Sequence, residues 1–164
     1  MDIEGKVALI TGGAGGLGKC VGELLLSRAA QGVVFIDKDE DMGKVTEDYL
    51  KKTYGESKVV FVHGDVTVKL NLKCAYEMTK SKFGRLDIVC NNAGIFNELE
   101  MEKMFAVNIM ALITSTYMAV EYMGKQHGGQ GGVIINVSSN LGKYALMSLF
   151  LRILINTLFK IIAM

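Results

Sequence analysis

The chain has 164 residues, of which 50% are apolar and 21% charged, and its formal net charge is +1. This length fits one domain with a buried core, and the balanced charge gives no electrostatic reason to expect nucleic acid or an anionic membrane as a partner. The charged start of the chain does not match a secretory signal. Its three cysteines favour buried free thiols over a disulfide framework or a metal site, which predicts a cytoplasmic protein.

Short runs of β-branched and aliphatic residues alternate along the chain with longer segments of helical pattern. The predicted strands cover residues 6–11, 33–37, 59–63, 87–91 and 133–138. The predicted helices cover residues 17–30, 40–54, 68–83 and 102–123. Such alternation indicates right-handed crossovers and a parallel sheet with helices on both faces. Each strand is almost continuously apolar, as expected where both faces of the sheet are covered.

The first predicted strand leads into a glycine-rich loop that opens the first helix and reads TGGAGGLG. Backbone N–H groups at the start of a helix bind phosphate, and glycine lets the chain turn tightly without a Cβ in the way. The run fits two spacings, namely Gly12, Gly16 and Gly18 or Gly13, Gly15 and Gly18. A glycine turn without a ligand is the simpler alternative. Its place between a strand and a helix favours a dinucleotide phosphate site.

An acidic residue, Asp37, ends the second predicted strand about 20 residues after the glycines, at the usual distance for a ribose-binding carboxylate. Its carboxylate can accept hydrogen bonds from two ribose hydroxyls and would repel the 2′-phosphate of NADP. A helix cap or a solvated loop acid is the alternative role, and the adjacent Lys38 is a residue type that favours NADP. Together with the glycine loop, Asp37 predicts a Rossmann-type fold that binds NAD.

Further polar segments follow the third, fourth and fifth predicted strands, where open α/β sheets bind ligands. These segments, with one polar position on the long predicted helix, are Asp65-Val66, Asn91-Asn92-Ala93-Gly94, Asn136-Val137-Ser138-Ser139 and Asn108. With the glycine loop, this series resembles the short-chain dehydrogenase/reductase family over residues 6–142. Longer stretches, at 83–88, 121–126 and 128–139, are similar to NAD-dependent members that oxidise a secondary alcohol on a lipid-like substrate to a ketone.

The resemblance implies a role for each matching residue. The implied cofactor residues are Gly12, Gly16, Leu17 and Gly18 at the pyrophosphate, Asp37 at the adenosine ribose, Asp65 and Val66 at the adenine, and Asn92, Ala93 and Gly94 at the middle of the cofactor. Ser139 is implied to bind the substrate oxygen, and Asn108 to hold a water in the proton relay. Asp65 and Asn108 also have local alternatives, a helix cap and a hydrogen bond to neighbouring backbone.

The family's general base does not match this sequence. The family uses a tyrosine whose pKa is lowered by a lysine four residues later, about a dozen residues after the serine, because a phenol alone is a poor base at neutral pH. Counting from Ser139 leads to Arg152 and Asn156 instead. Arginine cannot be deprotonated and an amide is not a base. The resemblance therefore predicts little or no turnover from this sequence.

Two other tyrosines have a lysine four residues later. Tyr54 ends a predicted helix just before a glycine, so Tyr54 and Lys58 span a turn rather than a helix face. Tyr76 and Lys80 lie mid-helix, away from the carboxyl edge of the sheet. We predict packing or surface roles for both pairs.

The last segment, residues 143–164, is apolar with a polar residue every four positions, which predicts a helix with one narrow polar stripe. Charged and amide groups near its middle make a membrane span costly. We therefore predict a domain over residues 1–142, an incomplete doubly wound parallel sheet of about five strands, and an apolar C-terminal helix over 143–164. The expected function is NAD-dependent oxidation of a small-molecule alcohol. The alternative is a truncated, inactive form that binds NAD or pairs with a full-length partner as a homo- or hetero-oligomer.

Overall fold

A computed structural model describes residues 2–97, 99–138 and 161–163. Five parallel strands form one sheet, and they are β1 (Val7–Thr11), β2 (Gly32–Asp37), β3 (Val59–His63), β4 (Ile88–Asn91) and β5 (Val133–Asn136). Their spatial order is β3-β2-β1-β4-β5. The strand order reverses between β1 and β4, which is where such sheets leave a crevice at their carboxyl ends. The predicted doubly wound parallel sheet is confirmed.

Helices cover both faces of this sheet. They are α1 (Gly16–Ser27), α2 (Glu40–Tyr54), α3 (Lys69–Phe83), α4 (Met101–Phe105) and α5 (Leu112–Met123). Side chains alternate across each strand, so Leu9 of β1 lies in one buried cluster with residues of α3 and α5, while Ile10 lies in the other with residues of α1 and α2. Both faces are buried, which explains the continuous apolar strands.

A π-helical segment, Ala106–Ala111, joins α4 to α5 and makes one continuous helix from Met101 to Met123. The sequence predicts the long helix but not the change in winding within it. This helix is also the one among the described residues that is long and apolar enough to span a membrane, with a mean hydropathy of 1.4. It packs on the sheet through buried residues such as Ala119 and Met123. The criterion rests on length and composition, which a core helix also meets, and 28% of the tested stretch is buried within the protein.

A short sixth strand, β6 (Ile161–Ala163), pairs antiparallel with β5. The apolar tail was predicted to be helical, and at these three residues the backbone is extended instead. Isoleucine favours extended backbone, and the backbone N–H and C=O groups along the outer edge of β5 can pair with a further strand. The remainder of the predicted tail helix lies outside the described residues.

The three cysteines are free, as the sequence predicts, but only Cys90 of β4 is buried. Burial raises the pKa of the Cys90 thiol to about 11. Cys20 and Cys74 are exposed on α1 and α3, so the prediction that they are buried is wrong. Both helices present one face to water, and each of these cysteines lies on that face.

An ion pair between a partly exposed arginine, Arg85, and a buried carboxylate, Asp87, lies where β1 and β4 begin. The Arg85 guanidinium donates two hydrogen bonds to the Asp87 carboxylate, at 2.8 and 2.6 Å, and the Val7 N–H donates a third at 2.9 Å. The Asp87 side chain is only 6% exposed. A carboxylate removed from water is tolerated when each oxygen has such partners.

Replacing Arg85 by methionine is expected to lower the free energy of unfolding by about 3 kcal/mol, because the buried Asp87 charge then keeps only the Val7 N–H. Urea denaturation followed by circular dichroism measures the change. Lys73→Met, which breaks an exposed pair with Glu77, is the control and is expected to leave stability unaltered. An equal, small effect of both substitutions would show that the Arg85 pair is not a stabilising contact.

Candidate functional site

The crevice at the carboxyl ends of β1 to β4 is a cleft of about 540 Å³. The predicted cofactor residues that line it are Gly12, Asp37, Asp65, Val66, Asn92, Ala93 and Gly94. They come from four separate segments, and the parallel sheet brings these together because the carboxyl ends of its strands share one edge. The first turn of α1, with Gly16, Leu17 and Gly18, adjoins the cleft through Gly15.

The glycine loop follows the spacing of Gly12, Gly16 and Gly18. Gly12 has φ +67° and Gly16 has φ +51°, a region that side-chain-bearing residues rarely adopt. A Cβ on Gly18 would lie 2.2 Å from the Gly12 carbonyl oxygen, so no side chain fits between the loop and α1. Gly13 has a packing reason instead, since a Cβ there would lie 2.3 Å from the Phe35 ring.

The loop leaves space on the cleft side. A Cβ at Gly16 would meet no atom within 4 Å, and a Cβ at Gly15 would meet only Met42, at 3.9 Å. The first N–H groups of α1 have no acceptor within the helix and carry partial positive charge. The loop and helix therefore form a cradle with room and electrostatic preference for an anion such as a pyrophosphate.

Asp37 contacts the glycine loop directly. Its Oδ2 accepts a hydrogen bond from the Ala14 N–H at 3.0 Å, and its Oδ1 accepts one from the Asp39 N–H at 3.1 Å. Each carboxylate oxygen retains capacity for a further donor. Asp39, not Asp37, caps α2, by accepting from the Met42 N–H at 3.0 Å. The helix-cap alternative for Asp37 is therefore not what this structure shows.

Asp65 is the start of a local turn at the cleft. Its Oδ1 accepts hydrogen bonds from the Thr67 N–H at 2.8 Å and the Thr67 hydroxyl at 2.7 Å. Partial burial acts to raise the pKa of Asp65, but the two Thr67 hydrogen bonds and the positive charges of Lys38 and Lys103 lower it below its ordinary value. Asp65 is thus an ionised turn residue that also lines the cleft beside Val66.

Asn92 connects the segment after β4 to the glycine loop. Its Nδ2 donates to the carbonyl oxygens of Thr11 at 3.1 Å and Gly12 at 2.9 Å. In return, the Thr11 hydroxyl accepts hydrogen bonds from the N–H groups of Asn92 and Ala93, both at 3.0 Å. The side-chain amide of Asn92 therefore holds the loop in place, which its position in the sequence alone did not reveal.

Asn91 connects β4 to β5. Its Nδ2 donates to Asn136 Oδ1 at 2.8 Å, and both side chains are buried. Among the described residues Asn91 Oδ1 has no hydrogen-bond partner. Asn91 is thus a structural link beneath the cleft.

Of the two predicted catalytic residues, Asn108 and Ser139, the structure describes only Asn108. The Asn108 side chain lies on the π-helical segment, where its Oδ1 accepts from the Ile95 N–H and its Nδ2 donates to the Ile95 carbonyl, both at 2.9 Å. This is the local alternative considered for it, and its role in a proton relay stays a prediction. Ser139 lies outside the described residues, and so do Arg152 and Asn156.

Neither described Tyr-x3-Lys pair has the geometry of a base. Tyr76 is fully buried and donates its hydroxyl to the Ser115 carbonyl at 2.7 Å, while burial raises the pKa of Tyr76 well above its ordinary value. A catalytic tyrosine needs the opposite shift. Tyr54 ends α2, and Lys58 follows beyond Gly55 in a separate 3-10 turn.

The raised pKa of Tyr76 predicts how the free energy of unfolding depends on pH. A pKa raised above the ordinary value of 10.0 means that the folded protein keeps a proton that the unfolded chain releases, so stability is full below pH 10.0 and falls as the pH rises above it. Tyr76→Phe is expected to remove about 1.4 kcal/mol of this decline per pH unit. Urea unfolding at several values above that pH measures the slope. Tyr117→Phe, at an exposed position, is the control, and an identical slope in both variants would contradict the prediction.

The fold and the position of the cleft are typical of α/β proteins that bind dinucleotides. The profile of the family described as short chain dehydrogenase matches residues 6–150. The chain belongs to this family, the short-chain dehydrogenase/reductase oxidoreductases.

Several relatives and solved structures are similar to the chain. 15-Hydroxyprostaglandin dehydrogenase (NAD+) of Homo sapiens is 39% identical over 142 residues, which cover 87% of this chain and 53% of the human protein. An uncharacterized oxidoreductase of Thermotoga maritima is 39% identical over 150 residues, covering 87% of this chain and 57% of its own length. A short-chain dehydrogenase/reductase of Burkholderia phymatum, crystallised in complex with NAD, superposes with a TM-score of 0.81 at 25% identity and covers 93% of this chain and 55% of its own. The chain thus spans about half the length of the curated relatives it matches.

Proposed function

We propose that this chain binds NAD in the cleft at the carboxyl ends of β1 to β4. The observation that carries the proposal is the pairing of an open glycine cradle at the start of α1 with the Asp37 carboxylate at the end of β2. These are the two features that a dinucleotide needs, one for its pyrophosphate and one for its adenosine ribose. The relatives whose names include NAD support the same cofactor.

Each predicted residue has a task in this proposal. The N–H groups of Gly16 and Leu17 bind the pyrophosphate, while Gly12 and Gly18 allow the close approach of backbone that forms the cradle. Asp37 accepts from the ribose hydroxyls, and Asp65 and Val66 contact the adenine. Ala93 and Gly94 line the path of the middle of the cofactor, and Asn92 holds the loop against them.

The proposed reaction is the oxidation of a secondary alcohol to a ketone, with a lipid or prostaglandin-like alcohol as the substrate class suggested by the relatives. Bound NAD supplies a hydride acceptor for the carbinol carbon. The chain would supply Ser139 to bind the alcohol oxygen and Asn108 to hold a water for the departing hydroxyl proton. A base that takes this proton is required as well.

A second candidate is NAD binding without turnover. Arg152 and Asn156 stand where the family resemblance puts the tyrosine and lysine, and the described Tyr76 and Tyr54 pairs do not reach the cleft. This observation favours a cofactor-binding protein that acts alone or through an oligomeric partner.

Calorimetric titration of the purified chain with NAD tests the proposal, and absorbance of NADH during incubation with a prostaglandin or another secondary alcohol separates the two candidates. Saturable NAD binding is the expected result. NADH formation would support the dehydrogenase, and binding without NADH would support the second candidate. Absence of NAD binding by a folded chain would overturn both.

A further inference from the structure

The interior of α2 contains a threonine, Thr46, whose hydrogen bond differs from those of two other helical threonines, Thr53 and Thr79. Thr53 and Thr79 donate to carbonyl oxygens four residues earlier in their own helices, at 2.8 and 2.7 Å. This is the ordinary behaviour of threonine within a helix. Thr46 donates instead to the Ala14 carbonyl in the glycine loop, at 2.5 Å and across 32 positions of sequence. It is 1% exposed.

With the Thr46 hydrogen bond, both the N–H and the carbonyl of Ala14 have a side-chain partner. The Ala14 N–H donates to Asp37 Oδ2 at 3.0 Å, and the Ala14 carbonyl accepts from Thr46. We call these two hydrogen bonds the Ala14 clamp. Both polar groups of the Ala14 backbone are therefore occupied, and neither is available to a ligand without breaking the clamp.

The Ala14 carbonyl belongs to the same peptide unit as the Gly15 N–H, so the orientation of one sets that of the other. A trans peptide is planar, so its C=O and its N–H point in opposite directions. The Ala14 carbonyl points towards the buried Thr46, and the Gly15 N–H in the same plane therefore points away from the interior. Gly15 lines the cleft, and its N–H has no acceptor among the described residues.

The helix that carries Thr46 is itself fixed to the sheet. Glu47, the next residue, accepts a hydrogen bond from the Phe61 N–H of β3 at 2.9 Å. Gly43, one turn earlier, lies so close to the Phe61 ring that a Cβ would come within 2.1 Å of it. Thr46 thus extends from a helix that is fixed to the sheet to the Ala14 position of the glycine loop.

We infer that Thr46 is a positioning residue for the cofactor pyrophosphate: it orients the Ala14–Gly15 peptide so that the Gly15 N–H faces the phosphate. This inference rests on the proposed NAD binding and adds to it a residue that lies outside the cleft. Thr46 is buried and does not line the cleft, so its effect would reach a bound cofactor only through the loop.

The test compares Thr46→Val, which keeps the shape and removes the hydroxyl, with Thr46→Ser, which keeps the hydroxyl. Thr53→Val, at a threonine bonded within the same helix, is the matched control. Thr46→Val is expected to weaken NAD binding about tenfold, which corresponds to about 1.4 kcal/mol, while Thr46→Ser and Thr53→Val stay within about threefold of the original chain. Titration with adenosine, which lacks the pyrophosphate, is expected to give the same affinity in all variants.

A merely structural role gives a different pattern. It would lower the free energy of unfolding of Thr46→Val and change NAD and adenosine binding together, and that result would overturn the inference. Equal NAD affinity in Thr46→Val and the original chain would overturn it as well.

Amide hydrogen exchange of Ala14, whose N–H is protected by its hydrogen bond to Asp37, separates this inference from the proposed function. Faster exchange is expected in Thr46→Val but not in Thr46→Ser, and this can be measured without cofactor. If the original chain binds no NAD, the proposed function fails, and unaltered exchange in Thr46→Val would then show that the hydroxyl does not hold the loop either.

Discussion

Replacing Asp37 by alanine is expected to weaken NAD binding about a hundredfold, or about 2.7 kcal/mol. Two causes add to this effect. The ribose hydroxyls lose a charged acceptor, and a hydrogen bond to a charged group is worth about 1.5–3 kcal/mol. The Ala14 N–H also loses its partner at 3.0 Å, so the glycine loop loses one of the two hydrogen bonds of the Ala14 clamp.

The same substitution is expected to reduce the preference for NAD over NADP, because the negative charge that repels a 2′-phosphate is gone while Lys38 remains beside it. Calorimetric titration with both cofactors measures this. Asp48→Ala removes the same charge from an exposed position on α2 and is expected to leave both affinities unchanged. If Asp37→Ala and Asp48→Ala bind NAD equally well, the ribose is not held by Asp37.

Replacing Gly18 by alanine is expected to abolish NAD binding and to lower the free energy of unfolding by about 3 kcal/mol. The new Cβ would lie 2.2 Å from the Gly12 carbonyl oxygen and 2.7 Å from Asn92 Nδ2. The Gly12 carbonyl cannot move aside freely, since it accepts the hydrogen bond from Asn92 at 2.9 Å. The loop must therefore separate either from α1 or from the segment after β4.

Gly84→Ala separates this steric effect from the general cost of replacing a glycine. Gly84 has φ +75° at the end of α3, and a Cβ there would meet no atom within 4 Å. Its replacement is expected to cost about 1 kcal/mol through backbone strain alone and to preserve NAD binding. Urea denaturation and calorimetry measure both variants. A Gly18→Ala chain as stable as Gly84→Ala would contradict the close packing of the loop.

The sequence predicts the sheet and the cleft well for a physical reason. Strands with two buried faces are continuously apolar, and residues such as Gly12 and Asp37 act near the positions where those strands end. Local pattern therefore locates the loop, the Asp37 carboxylate and the segment after β4. The roles that the resemblance assigns to Ser139 and Asn108 stay predictions.

Local sequence pattern does not predict the hydrogen-bond partner of Thr46. Its place on the buried side of α2 is readable from helical periodicity, but the partner of its hydroxyl is 32 positions away in the glycine loop. The same holds for Asn92, which the resemblance places at the middle of the cofactor: the pattern does not show that its amide donates to the backbone of the glycine loop. Such pairings depend on how helices and strands pack, which no single segment encodes.

Two departures in backbone geometry have a similar origin. The change to π-helical winding at Ala106–Ala111 accompanies the pairing of Asn108 with Ile95, and helical periodicity does not specify it. The strand at Ile161–Ala163 forms against β5, although the tail pattern favours a helix. In both places a contact with another segment accompanies a backbone that the local sequence does not predict.

The hydrogen bonds of Asn92 also affect the order in which the chain folds during its synthesis. Asn92 Nδ2 contacts the Gly12 carbonyl across 80 positions of sequence, and β4 lies next to β1 in the sheet. A contact of such high sequence separation forms late, because the entropy lost in ordering the long intervening chain precedes the stabilisation that the contact provides. A nascent chain that has completed β1, α1 and β2 therefore still lacks the Asn92 hydrogen bonds to its glycine loop. The loop is completed only when β4 has left the ribosome and docked beside β1.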